Sequence, residues 1–317
     1  MYAAAFAASV VATTVPAQEY PTKPIRVLLP WPPGGPTDVI GRLMVQKLSE
    51  LLAQPMIIDN RPGASGIIGS EIVAKASPDG YTLLLNSGST HIVYSGMFKS
   101  LAFDPVNDFS PVANVGSSPV IVVSHPSLPA KDMSQLIAYA RANPRSLNLA
   151  IPGEGTLPHL LSELVNMTAN IKMTMIPYKG TPPALNDVLA GQANLTYVSV
   201  ATALPLVAAK RLQPLGISSI KRVTVLPDVP TFTESGLTGM EVSTWYGIWA
   251  PKDTPRRIVE RLNGAVAKAA EDRALQSRYS EMLTDLNVMP PEVFSRFFAD
   301  ESQRWLKVMR DAGVRPQ

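Results

Sequence analysis

The residues best placed to do chemistry cluster at Pro32-Pro33-Gly34-Gly35-Pro36, followed directly by Thr37 and Asp38. Ahead of them Ile25–Leu29 reads as a buried strand. Behind them Ile40, Leu43, Met44, Leu48 and Leu51 recur at helical spacing. A strand, a tight loop and a helix N-terminus make a concave site with free backbone N–H groups and the positive end of a helix dipole. That suits an anion without a cationic side chain. Glycine lets backbone approach a ligand closely, and proline limits the entropy lost on binding. The same residues also describe an ordinary strand-to-helix turn with Asp38 complementing the dipole, and both readings stand on local sequence.

Catalytic constellations are sparse. There is no G-x-G-x-x-G turn, since Gly63, Gly66 and Gly69 have the wrong spacing, and there is no P-loop lysine or G-x-S-x-G elbow. His91, His125 and His159 are isolated, with no partner at metal-ligand spacing, and the chain has no cysteine. Ser87 or Ser89 with His91 forms a nominal nucleophile and base, but proximity in sequence is not triad geometry. His159 opens a helix beside a glycine loop and reads as a ligand contact or a structural hydrogen bond. No catalytic residue, metal or cofactor is assigned.

The elements around these residues repeat one grammar: short apolar strand, glycine- or serine-rich loop, helix. Met56–Asp59 leads through Asn60–Gly69 to a helix at Ile72 and Val73, and Tyr81–Leu85 leads into the loop Asn86–Thr90. Val120–Val123 is a β-branched run of the kind found in central strands. The grammar then restarts with Ser134–Ala142 as a helix, Leu147–Ala150 as a strand, and the loop Gly153-Glu154-Gly155-Thr156. Met173–Ile176 leads into Tyr178-Lys179-Gly180-Thr181, and Leu195–Val198 ends at Ser199. Residues from Pro255 to Ala312 read as amphipathic helix, with Trp305 on the core. Alternating units of this kind predict an α/β fold with mostly parallel sheets and ligand-facing loops at strand ends. Two such sets, joined by crossovers near Val120–Ser124 and Glu241–Trp249, predict two lobes hinged about a cleft.

At 317 residues, with 46% hydrophobic and 17% charged, the chain can build two cores. A net charge of +3, with no basic run beyond pairs such as Lys221-Arg222, excludes a nucleic-acid footprint. Residues 1–17 are uncharged and end in Val15-Pro16-Ala17, the pattern of a secretory signal that lacks its basic start. Export to the periplasm is the expectation, with a true start upstream of the recorded one.

Several stretches resemble the substrate-binding receptors of tripartite tricarboxylate transporters, the Bug family. They are PWPPGGPTD (30–38), NRPGASGIIGSEIVAKASPDGYTLL (60–84), FDPVNDFSPVA (103–113), IPYKGTPPALNDVLAGQ (176–192), LPDVPTFTESG (226–236), WYGIWAPKDTP (245–255) and QRWLKVMRDAGV (303–314). The resemblance implies a two-lobed, type II-like periplasmic binding protein, not an enzyme, that closes on a small carboxylate and delivers it to large and small membrane subunits. The implied organisation is a signal peptide at 1–17, lobe 1 at 18–123 and 245–317, and lobe 2 at 124–244, as a monomer. By position it assigns the ligand to Trp31, Pro33, Gly34, Gly35, Thr37 and Asp38, then to Ser87, Gly88, Ser89 and Thr90. From the opposite lobe it assigns Gly153, Gly155, Thr156, His159, Tyr178, Lys179, Gly180, Tyr197 and Ser199. The chain departs from the family pattern at Ile151-Pro152, at Ser199 and at Glu154, which is expected to point to water. Apolar surface around Trp31, Ile151 and Tyr197 favours a carboxylate with an apolar or aromatic body. The same fold and ligand site also suit a sensor for a membrane kinase, the alternative role; an α/β enzyme is a third.

Overall fold

The computed structural model describes residues 20–311, with 313 and 316. The signal-like segment 1–17 lies outside the described residues. The first half runs β1 (Ile25–Leu29), α1 (Pro36–Leu52), β2 (Met56–Asn60), α2 (Ile67–Ala74), β3 (Thr82–Ser87) and α3 (Gly88–Met97), then the long β4 (Phe109–Ser124). The second half runs α4 (Met133–Ala142), β5 (Asn148–Ile151), α5 (Leu157–Thr168), β6 (Thr174–Pro177), α6 (Thr181–Leu189), β7 (Leu195–Ser199), α7 (Val200–Ala208) and β8 (Gln213–Ile217). The chain returns through β9 (Ser243–Pro251) and closes with α8 (Arg256–Ala270), α9 (Arg273–Glu281) and α10 (Pro291–Asp311).

One nine-stranded sheet has the order β2-β1-β3-β9-β4-β7-β5-β6, with β8 also paired to β4. Three strands at each end pair in parallel, as the alternating grammar predicts: β2, β1 and β3 on one side, β7, β5 and β6 on the other. The two long strands between them add antiparallel pairing. From Phe109 to Pro119, β4 pairs with β9, and from Val120 to Ser124 it pairs with β7. The run Val120–Val123 is therefore the end of a sixteen-residue strand, not a separate short one. Its uninterrupted apolar character follows from burial on both faces. Val120 and Val122 join a core with Tyr94, Trp249, Phe298 and Trp305, while Ile121 and Val123 join a second core with Leu185, Val188 and Ala203.

Two local features differ from expectation. Asn86–Thr90 is not a loop: β3 continues to Ser87, and α3 begins at Gly88 with Ser87 as its cap. Ser199 is likewise followed at once by α7, which carries Pro205 inside it. Both joints have no linker, so strand ends and helix starts are rigidly coupled.

Candidate functional site

The loop after β1 is fixed from beneath. The Trp31 indole Nε1 donates to Asn86 Oδ1 at 2.7 Å, and Asn60 Nδ2 donates to the Trp31 carbonyl at 3.0 Å. Asp38 is buried and accepts from Arg42, from Asn60 Nδ2 and from the Gly34 N–H at 3.0 Å. Burial works against its ionised form. The hydrogen bonds from Arg42, Asn60 and Gly34 outweigh that, so the carboxyl stays below its ordinary range. Asp38 is therefore a brace inside the loop, and it consumes one of the amides that sequence reading leaves free. Among the described residues nothing pairs with the Gly35 or Thr37 amide.

A cavity lies where the two halves face each other, with about 670 Å³ of space, mouth included. Gly35, Ser87, Thr156, Gly180 and Ser199 all line it, and each is the N-cap of a helix: α1, α3, α5, α6 and α7 in turn. Three of these caps use a hydroxyl. Ser87 accepts from the Thr90 N–H, Thr156 from the His159 N–H, and Ser199 from the Thr202 N–H. Five helix dipoles thus present their positive ends to one space, while among the described lining residues none is charged. The arrangement can hold an anion by neutral donors alone.

Of the residues expected to meet a ligand, the cavity brings together Trp31, Gly35, Thr37, Ser87, Thr90, Thr156, Gly180, Tyr197 and Ser199. The others fall elsewhere, each for a physical reason. Pro33 is exposed and lines neither this cavity nor its neighbours. Gly34 faces a recess behind the cleft. A Cβ at Gly88 would lie 1.9 Å from the Trp245 ring, so that glycine exists for packing. The Ser89 hydroxyl donates to the Ser243 carbonyl and accepts from the Trp245 N–H, tying α3 to β9. Gly155 packs on Phe98, and its N–H donates to His159 Nδ1 at 3.0 Å. His159 is thus a structural histidine, and burial lowers its pKa against the pull of Glu154. Gly153, Tyr178 and Lys179 line an outer recess that shares Trp31, Pro32, Pro152 and Gly180 with the cavity. The Tyr178 hydroxyl donates to Asp187, which pushes the phenol up to about 12. Glu154 is exposed at the same recess, and Ile151 is buried in the core, with Pro152 and Pro158 facing the cavity in its place.

Sequence reading missed Val120, Thr244 and Tyr246, which come from the two crossing strands. Thr244 and Tyr246 are two residues apart, so the period of a strand places them on one face. That alternation was available in a segment read only as a connection.

The nominal nucleophile and base is dismantled. His91 is fully buried among Trp249, Phe109 and Tyr94, with Nε2 2.8 Å from the Pro105 carbonyl and Nδ1 3.5 Å from Asn86 Nδ2. Ser87 and Ser89 direct their hydroxyls to Thr90 and Ser243 instead. Among the described residues no cluster of three His, Asp or Glu is placed to hold a metal.

Fold and site together define a two-part binding protein with an anion-seeking cleft between its halves. The family model described as "Tripartite tricarboxylate transporter family receptor" matches residues 40–314, and the chain belongs to that family. The UPF0065 protein in the tcbD-tcbE intergenic region of a Pseudomonas strain is 38% identical, over 92% of this chain and 86% of that one. Protein BugT of Bordetella pertussis is 35% identical, over 96% and 94%. Among solved structures, the periplasmic binding protein BugD has a TM-score of 0.88 at 30% identity, covering 94% of this chain and all of that one. A Rhodopseudomonas palustris protein solved with adipate has a TM-score of 0.89 at 33% identity, with coverage of 94% and 100%. MatC from the same organism, solved with bound malate, has 0.86 at 33% identity, with coverage of 91% and 99%. The Bug-family resemblance read from the sequence is borne out.

Proposed function

We propose that this protein captures a small carboxylate in the cleft and delivers it, from the periplasm, to the large and small membrane subunits of a tripartite tricarboxylate-type transporter. The observation that carries the reading is the convergence of five helix N-termini on a cavity whose described lining residues carry no charge. Neutral donors hold an anion firmly enough for capture and release it without breaking an ion pair. The adipate and malate complexes of relatives support the ligand class. The uncharged N-terminal segment and the relationship to a periplasmic binding protein support the compartment. The protein works as a monomer, without turnover or cofactor. Its lobes, 18–123 with 245–317 and 124–244, close on the ligand about β4 and β9.

The experiment is uptake. A thermal-shift screen of carboxylates identifies a stabilising acid, and cells lacking the gene are then given that acid in labelled form. Lost uptake, restored by the gene, is expected; uptake at the parental rate contradicts delivery to a transporter.

A further inference from the structure

Asp38 is the only carboxylate among the buried described residues, and it stands directly behind the open amides of α1. Its Oδ2 accepts the Gly34 N–H at 3.0 Å, one residue before Gly35, and in the chain it follows Thr37. A negative charge there opposes the positive end of the helix and repels an anion bound at the same turn. What offsets it lies outside the cavity. Arg42, one turn further along α1, grips both oxygens: Nε donates to Oδ2 at 2.9 Å and Nη2 to Oδ1 at 3.0 Å. The same Nη2 donates to Asn60 Oδ1 at 3.1 Å, and Asn60 Nδ2 donates to Asp38 Oδ1 at 3.0 Å, so base, amide and acid close a ring. The Arg42 side chain is 53% exposed and that of Asp38 4%, and neither lines the cavity.

Resting on the carboxylate reading above, we infer that Arg42 is a positioning residue for ligand affinity. It cancels the charge of Asp38, so that Asp38 braces the Gly34-Gly35 loop without driving a carboxylate off the α1 N-terminus. Arg42 touches no ligand in this role; it acts through Asp38. Its two-pronged grip also fixes which way the Asp38 oxygens point, and so keeps the Gly34 N–H engaged while the Gly35 and Thr37 amides stay open. An uncharged acceptor at position 38 would hold the Gly34 N–H as well and would need no cation beside it.

The probe is whichever of adipate, malate, hexanoate and benzoate stabilises the native chain most in a thermal shift, and titration calorimetry at neutral pH is the readout. Arg42→Gln keeps a donor beside Asp38 but no charge, and its Kd should rise about tenfold or more. Arg42→Lys returns the charge at i,i+4 spacing and should stay within about threefold of the native Kd. With Asp38→Asn already in place there is no charge left to cancel, so adding Arg42→Gln should cost less than about threefold. Circular dichroism establishes that each variant is folded. A merely structural role predicts another pattern: the same loss in Arg42→Gln and Arg42→Lys, and the same loss with or without Asp38→Asn. That pattern, or a native Kd in Arg42→Gln, overturns the inference and leaves the carboxylate reading standing. Should Arg42→Gln alone fail to fold, the double variant against Asp38→Asn decides, and a loss of about tenfold there overturns the inference. No binding by any of these acids, or equal binding by the amide of the chosen acid, overturns the carboxylate reading and the inference with it.

Discussion

Trp31 and Asn86 come from different strand ends, yet the indole Nε1 of one donates to the amide oxygen of the other at 2.7 Å. That oxygen also accepts from the Ser87 N–H at 2.8 Å, so a single buried amide orients the cleft wall and the start of α3 together. Asn86→Ala should leave two donors without partners and cost about 1–3 kcal/mol of stability. Ligand affinity should fall with it, because the Trp31 ring loses its anchor. Urea unfolding and calorimetry check this. Reduced stability with unaltered affinity would show that the orientation of Trp31 does not shape the site.

Gly35 has an ordinary φ of −77°, and a Cβ there would meet only the Pro32 carbonyl, at 3.7 Å. Gly35→Ala should therefore fold with a melting temperature close to that of the parent. Gly35→Asp should fold as well but lose binding, since it places a carboxylate at the N-terminus that the ligand needs. Circular dichroism and calorimetry on both variants separate the two effects. Retained affinity in Gly35→Asp would move the anchor away from α1.

His91 gives the fold a pH dependence. Burial pushes its pKa from 6.5 down to about 4, against the Pro105 carbonyl and Asp104. The unfolded chain takes up a proton below 6.5 that the folded chain refuses until about 4. Stability contributed by the neutral imidazole is thus complete above 6.5 and is lost as the pH falls toward 4. The full loss is about 3 kcal/mol at 1.36 kcal/mol per pH unit. Urea midpoints measured across this range should fall steeply in the native protein and less steeply in His91→Gln. Equal slopes would assign the proton uptake to another group.

Much of this was legible in the sequence, and what was hidden was hidden for local reasons. The parallel units at both ends were visible because apolar runs alternate with glycine and proline punctuation, as from Ile25–Leu29 to Gly34-Gly35. The first part of β4 was not, because Ser110, Pro111, Asn114, Gly116, Ser117 and Ser118 are poor strand formers that hold their place through pairing with β9. Helix α3 was masked by Gly88-Ser89-Thr90, loop-type residues of which Gly88 and Ser89 pack on β9 here while Thr90 lines the cavity. Helix α7 was masked by its internal Pro205. At the site, the segments singled out in the sequence each contribute residues to the cavity wall or its outer recess. Sequence could not tell which glycine or serine of a segment lines that cavity and which packs on a tryptophan.

Closure should be measurable at Gly180. Its φ is +109°, and a Cβ there would lie 2.8 Å from Pro32 Cγ on the opposite half. Saturating ligand should make the native protein more compact in solution scattering. Gly180→Ala, strained in backbone and blocked by Pro32, should show less compaction and faster ligand release. Identical native profiles with and without ligand would contradict a hinged receptor.

The central claim is that neutral donors at helix N-termini hold a carboxylate, and titration calorimetry of acids against their own amides tests it most directly. Whichever acid stabilises the protein in the screen should bind with its carboxylate as an absolute requirement, because the open Gly35 and Thr37 amides are best satisfied by a charged acceptor. The account predicts a measurable Kd for the acid and no saturation by its amide at a hundredfold higher concentration, roughly a 2.7 kcal/mol difference. An amide that binds as tightly as its acid would contradict it.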